Sequence, residues 1–154
     1  MQNQLPNIFD LHVTEALLER VNGLQPDTQP LWGKMDVAQM LAHCCVTYEM
    51  IYDAIHPKPN LLMRFILKTL VKPKVVSEKP YTHSMNTAPA FLITNTRDFE
   101  TEKARLITYI RKTQSLGAEA FDGRESLSFG VLTKQEWSNM LYKHLNHHLS
   151  QFGV

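Results

Sequence analysis

Between Asp36 and Ile55 the chain sets Val37, Met40, Leu41, Cys44, Tyr48, Ile51, Tyr52 and Ile55 at helical spacing, and Asp36 with Gln39 opens the run as a capping box. A stripe of this length is stable only when other elements cover it, so the chain must supply partners. It supplies three more stripes. From Asp10 to Leu24 a rougher one uses Leu11, Val13, Ala16, Leu17 and Val21, closed by Asn22-Gly23 and Pro26. From Thr96, acidic residues occupy the first turn and Phe99, Leu106, Ile107 and Ile110 share a side up to Gly117. From Thr133 a second capping box with Glu136 leads into Trp137, Leu141 and Leu145, and the pattern runs to Phe152. The second helix is expected to end near His56-Pro57, and a short further helix, capped by Asn60, to run over Leu61–Lys72 and stop before Pro73. A chain of 154 residues holds one core, so the economical arrangement is an all-α domain: a four-helix bundle with one extra short helix.

The connections fit that picture. Residues 73–95 hold Pro73, Pro80 and Pro89 among polar residues, with at most a short extended piece at Phe91–Thr94; they read as a long ordered crossing loop, so the topology need not be simple up and down. Turn residues fill 25–33, where Trp32 is expected to cover one end of the core and Gly33 to mark a bend. A second loop carries Asp122-Gly123 and Phe129-Gly130.

Sixteen basic against 15 acidic residues give a net charge of +1, which offers no broad footprint for nucleic acid. No run approaches the roughly 18 apolar residues of a membrane span, and the first residues lack the basic and apolar regions of a secretion signal; the expected location is cytoplasmic. Cys44 and Cys45 are neighbours that point apart in a helix, so buried reduced thiols are expected rather than a disulfide. The segment Leu61–Lys74 combines large apolar residues with Arg64, Lys68, Lys72 and Lys74. An anionic membrane would suit it, but its bases form no continuous face, so it reads first as a helix covering one flank, with no membrane partner.

His144 and His148 lie one helical turn apart on the side that carries Trp137, Leu141 and Leu145. They are expected to point into a packed interior, where an imidazole needs a proton partner or a metal. The best third donor is His43, on the second helix beside Met40, Thr47 and Met50. His147 competes, since it borders His148 and shares its side with Met140 and Gln151, whereas His12, His56 and His83 read as surface residues. The residues alone leave two readings open: a metal site, or core imidazoles satisfied by hydrogen bonds.

Four stretches carry a resemblance: Trp32-Gly-Lys-Met-Asp-Val-Ala-Gln-Met-Leu-Ala-His-Cys44, Asp98-Phe-Glu-Thr-Glu-Lys-Ala-Arg-Leu106, Phe129-Gly-Val-Leu-Thr-Lys-Gln-Glu-Trp137 and Lys143-His-Leu-Asn-His-His-Leu-Ser-Gln-Phe-Gly153. Together they make the chain resemble the DinB-like superfamily, and in particular its short branch with a His-rich Gln-Phe-Gly tail. The resemblance implies a four-helix bundle holding a divalent metal, zinc or nickel, through His43, His144 and His148, with Gln151 in the place of the superfamily's His-x-x-Gln ending. Two departures stand out. Ser126-Leu127-Ser128 occupies the loop where a His-Pro pair is expected, and Leu145 follows the first paired histidine where a glutamate is common.

Three neutral imidazoles leave a metal its full charge and an exchangeable position, which suits capture of a substrate thiolate or activation of water. The resemblance implies transfer of a low-molecular-weight thiol to an electrophile, with metal-assisted hydrolysis as the other chemistry and a homodimer as a plausible assembly. Met40, Thr47, Met50 and Trp137 are the expected pocket residues, and His147 and Gln151 the expected supports. Both cysteines are left out as packing residues. The competing class is a noncatalytic interaction bundle whose metal is structural or absent.

Overall fold

A computed structural model describes residues 4–83 and 87–154. Four long helices carry the core: α1 (Leu11–Gly23), α2 (Val37–Tyr52), α5 (Phe99–Leu116) and α6 (Lys134–Gln151). Between α2 and α5 come the short helices α3 (Leu61–Ile66) and α4 (Lys72–Val76), joined by a wider π-type turn over Leu67–Val71. An antiparallel hairpin of β1 (Arg124–Ser126) and β2 (Gly130–Leu132) precedes α6. The fold is therefore helical apart from this small hairpin.

Each of α1 and α2 packs against both α5 and α6, most extensively α2 against α5, the two long helices that the crossing segment joins. The core between them is made by Leu17, Leu18 and Val21 of α1, Met40, Leu41 and Tyr48 of α2, Leu106 and Ile110 of α5, and Trp137, Leu141, Leu145 and Leu149 of α6. Both capping boxes form. Asp36 Oδ1 accepts from Gln39 N at 2.8 Å while Gln39 Oε1 accepts from Asp36 N at 3.1 Å. Thr133 Oγ1 accepts from Glu136 N at 3.2 Å while Glu136 Oε2 accepts from Thr133 N at 3.0 Å. Each box satisfies otherwise orphaned N–H groups and so fixes where α2 and α6 begin.

Three local expectations change. The second helix ends at Tyr52, not near His56: Ala54 takes φ +50° and Ile55 lies exposed, off the packed stripe. The third helix does not stop before Pro73. The ladder widens over Leu67–Val71 and restarts, which puts Pro73 in the first turn of α4, where a missing N–H leaves no bond unmade. Phe91 belongs to a 3-10 turn, Pro89–Phe91, and not to an extended piece. The hairpin at Arg124–Leu132 was hidden because its strands are three residues each, too short for an alternating pattern to show.

The crossing segment is tied to α6 by two buried side chains. Lys143 donates to the carbonyls of Lys74 and Ser77 at 2.7 and 2.6 Å, and Asn139 donates to Val76 at 2.9 Å. Lys143 also lies over the Tyr81 ring, and its burial pulls the ammonium pKa down to about 8. No helix among the described residues is long and apolar enough to cross a membrane.

Candidate metal centre

His43 comes from the middle of α2, and His144 and His148 from the last two turns of α6, so two helices that pack together supply all three rings. Their nearest ring nitrogens all lie within 4.8 Å of one another. His43 and His148 are buried and His144 half-buried. Nothing but imidazole enters the cluster; among the described residues no carboxylate or thiol completes it.

The outer face of each ring is held. His43 Nδ1 lies 2.9 Å from the carbonyl oxygen of Phe91, which can only accept, so Nδ1 carries the proton and Nε2 is left bare. Gln151 Nε2 donates to the Trp32 carbonyl at 2.8 Å, which turns its Oε1 toward His148 Nδ1, also at 2.8 Å. His148 therefore also presents an unprotonated Nε2, and no hydrogen-bond partner for it exists among the described residues. His144 Nδ1 lies 3.3 Å from Thr47 Oγ1, a hydroxyl able to serve either tautomer.

The inner nitrogens then confront one another. His43 Nε2 and His144 Nε2 are 3.1 Å apart. Two ligand nitrogens on one tetrahedral ion, each at about 2.05 Å, would be about 3.3 Å apart, so the spacing fits a shared cation. A proton on His144 Nε2 would satisfy this pair, with Thr47 donating to Nδ1, but would leave His148 Nε2 unpaired. Donor type, spacing and outward anchoring together suit a borderline divalent ion.

Burial is the largest influence on all three rings, and it lowers their pKa values; the neighbouring imidazoles lower them further. His148 falls to about 3 despite its bond to Gln151. The rings are thus neutral at physiological pH, the form a metal requires.

Other expected site residues divide. Thr47 and Gln151 stand where the triad needs them. Met40 is fully buried one turn before His43, with the Cys44 thiol 3.8 Å from its sulfur, and Met50 is half-buried about two turns beyond His43. Trp137 lies away from the triad. It packs edge-on to Phe121 and donates to the Arg124 carbonyl at 3.3 Å, about 10 Å of helix rise away from His144. Ser126 sits at that same end, where its hydroxyl accepts from Phe129 N, and Leu145 is core. Both departures from the resembled pattern therefore have a packing role.

His147 does not join the triad. It is half-buried and lines a neighbouring cavity of about 180 Å³ with Trp32, Tyr81 and His83. Two of the three histidines assigned to the surface are more engaged than expected: His83 stacks on Trp32 with ring centroids 4.0 Å apart, and His56 bonds Glu49 at 2.7 Å. His12 is exposed. Both thiols are free and buried; burial pushes Cys44 well up and Cys45 to about 12, so neither is a nucleophile near neutral pH.

Sequence reasoning missed the carbonyls of Phe91 and Trp32, because backbone acceptors leave no mark in side-chain spacing. Gly33, beside Trp32, takes φ +88°, and a Cβ there would run into Gln151 Nε2. Replacing Gln151 with leucine is expected to weaken zinc binding about 10–100-fold by freeing the His148 ring, while the fold persists. Competition titration against a zinc chelator, with circular dichroism as the control, reads this directly; unchanged affinity would show that Gln151 does not support the ligand.

No curated protein and no solved structure matches the chain. Residues 6–153 match the family described as protein of unknown function (DUF1569), and the chain belongs to that family.

Proposed function

We propose that the protein is a metal-dependent enzyme built on a DinB-like four-helix bundle, in which His43, His144 and His148 hold zinc or nickel and a low-molecular-weight thiol is transferred to an electrophile. The observation that carries the metal reading is the convergence of three neutral imidazoles whose Nδ1 atoms are each engaged from outside. The packing of α1 and α2 against α5 and α6 supports the bundle assignment. A bound divalent ion would supply Lewis acidity, lowering the pKa of a thiol or water placed against it.

The chain's own residues do the positioning. Phe91 and Gln151 fix two rings in the tautomer that offers Nε2, so ligand geometry is set before anything binds. With three donors among the described residues, all neutral, the site keeps its charge and leaves room for an exchangeable ligand. The buried thiols are unsuited to attack, so the nucleophile must come from the cosubstrate.

One observation favours a second reading, a metal that staples α2 to α6 without turnover: the cavity beside the triad is lined by His147 but by none of the three ligands. Cobalt-substituted protein separates the two. An enzyme site should change its visible spectrum when glutathione or another small thiol is added, and the reconstituted protein should conjugate that thiol to a common electrophile faster than metal-free protein does. A spectrum indifferent to thiols, with no turnover above the metal-free control, would establish the structural reading.

A further inference from the structure

The helical segment α3–α4 is apolar on both faces. Val75 and Val76 pack against the core, yet no residue between Leu61 and Val76 is buried. Leu61, Leu62 and Phe65 are 83%, 71% and 66% exposed, and Ile55 and Leu70 nearby are also exposed. On a helical wheel Leu61, Leu62 and Phe65 fall within about 100° of one another. A helix that merely covers a flank turns its polar side outward; this one turns leucine and phenylalanine outward.

Charge accompanies the apolar face. Residues 56–80 contain Lys58, Arg64, Lys68, Lys72, Lys74 and Lys79 against Glu78 alone, while the rest of the chain has more acidic than basic residues. Some of these bases are engaged: Lys58 and Arg64 share Glu125, and Lys72 takes Glu136. Lys68, Lys74 and Lys79 are exposed and have no acidic partner among the described residues. The exposed leucines and phenylalanine beside uncompensated lysines match a surface that is apolar below and negative above, which is the interface of an anionic bilayer.

We propose that α3–α4 is a docking surface for anionic lipid, laying Leu61, Leu62 and Phe65 into the interface with Lys68 and Lys74 at headgroup level. No residue of this face belongs to the histidine site, so the proposal stands independently of what that site does.

Sedimentation of the full chain with vesicles of phosphatidylcholine alone and of phosphatidylcholine mixed with phosphatidylglycerol tests it. Binding is expected only to the mixed vesicles, weakening as salt rises. Leu62→Ser with Phe65→Ser should reduce partitioning about tenfold or more, and Lys68→Gln with Lys74→Gln should reduce it several-fold and flatten the salt dependence. The altered side chains are exposed, so thermal melts should match the parent, and the lysine pair reports even if the apolar pair misfolds. Absence of binding to mixed vesicles, or equal binding to both kinds, overturns the proposal. So does a concentration-dependent dimer that Leu62→Ser with Phe65→Ser abolishes without any vesicle binding, which would assign the face to a second copy of the chain.

Discussion

His148→Ala is expected to take bound divalent metal from about one ion per chain to background, with an affinity loss beyond about a hundredfold, since altering a ligand's supporting hydrogen bond alone costs about 10–100-fold. His43→Ala should do the same. The reason is the donor count: among the described residues three imidazoles from two helices make up the cluster, and two remaining rings would leave the ion mostly hydrated. Folding should survive in His148→Ala, because His43 and His144 can share a proton across their 3.1 Å contact and the cavity is left beside Gln151, a side chain able to take up water. His12→Ala and His147→Ala are the controls, the first remote and exposed, the second adjacent but turned toward Trp32 and Tyr81. Elemental analysis of protein purified without a histidine tag is the measurement, and equal metal in the parent, His148→Ala and His43→Ala would end the assignment.

The long helices and the triad were legible in the sequence for the same reason: periodicity reports which side chains share a face. Asp36-x-x-Gln and Thr133-x-x-Glu fixed two helix starts, and spacing by four put His144 and His148 together. Placing His43 opposite them needed more than spacing, since the pairing of α2 with α6 depends on how the whole chain packs. What stayed hidden was set by backbone and by tertiary charge. Pro73 looked like a stop because a proline inside a regular α-helix is one, and only the widened turn before it removes the clash. Glu102 reads as an ordinary first-turn acid of α5, yet it is buried between Arg97 and Arg105, and Arg105 also reaches Glu49 on α2. Trp137 looked like part of the site because it shares a helix face with His144; two turns of rise carry it to the Phe121 end of the core.

Metal-free protein should lose stability steeply as pH falls from about 6.5, well before carboxylates as a class begin to titrate. In the unfolded chain the site histidines take up protons near pH 6.5; in the folded chain burial first, and neighbouring imidazoles second, keep His144 and His148 neutral to much lower pH, His148 to about 3. His43 is lowered too, again chiefly by burial. The unfolded state therefore binds more protons across this window, and the linkage relation makes stability rise with pH by about 1.4 kcal/mol per pH unit for each ring that stays neutral, so that three rings together approach about 4 kcal/mol per unit. Above pH 6.5 the three rings contribute no slope; below it the contribution is lost progressively, and for His148 the loss is complete only near pH 3. Urea midpoints of chelator-stripped protein at about pH 7.5, 6 and 5 measure this, and replacing His148 with glutamine should remove roughly one third of the slope. Zinc should raise the midpoint at pH 5 as well as at pH 7.5, because rings that stay neutral in the fold still offer Nε2 to the ion. A metal-free protein equally stable at pH 7.5 and 5 would mean that the rings accept protons freely in the fold, and rings that do so are not the preset neutral donors on which the metal assignment depends.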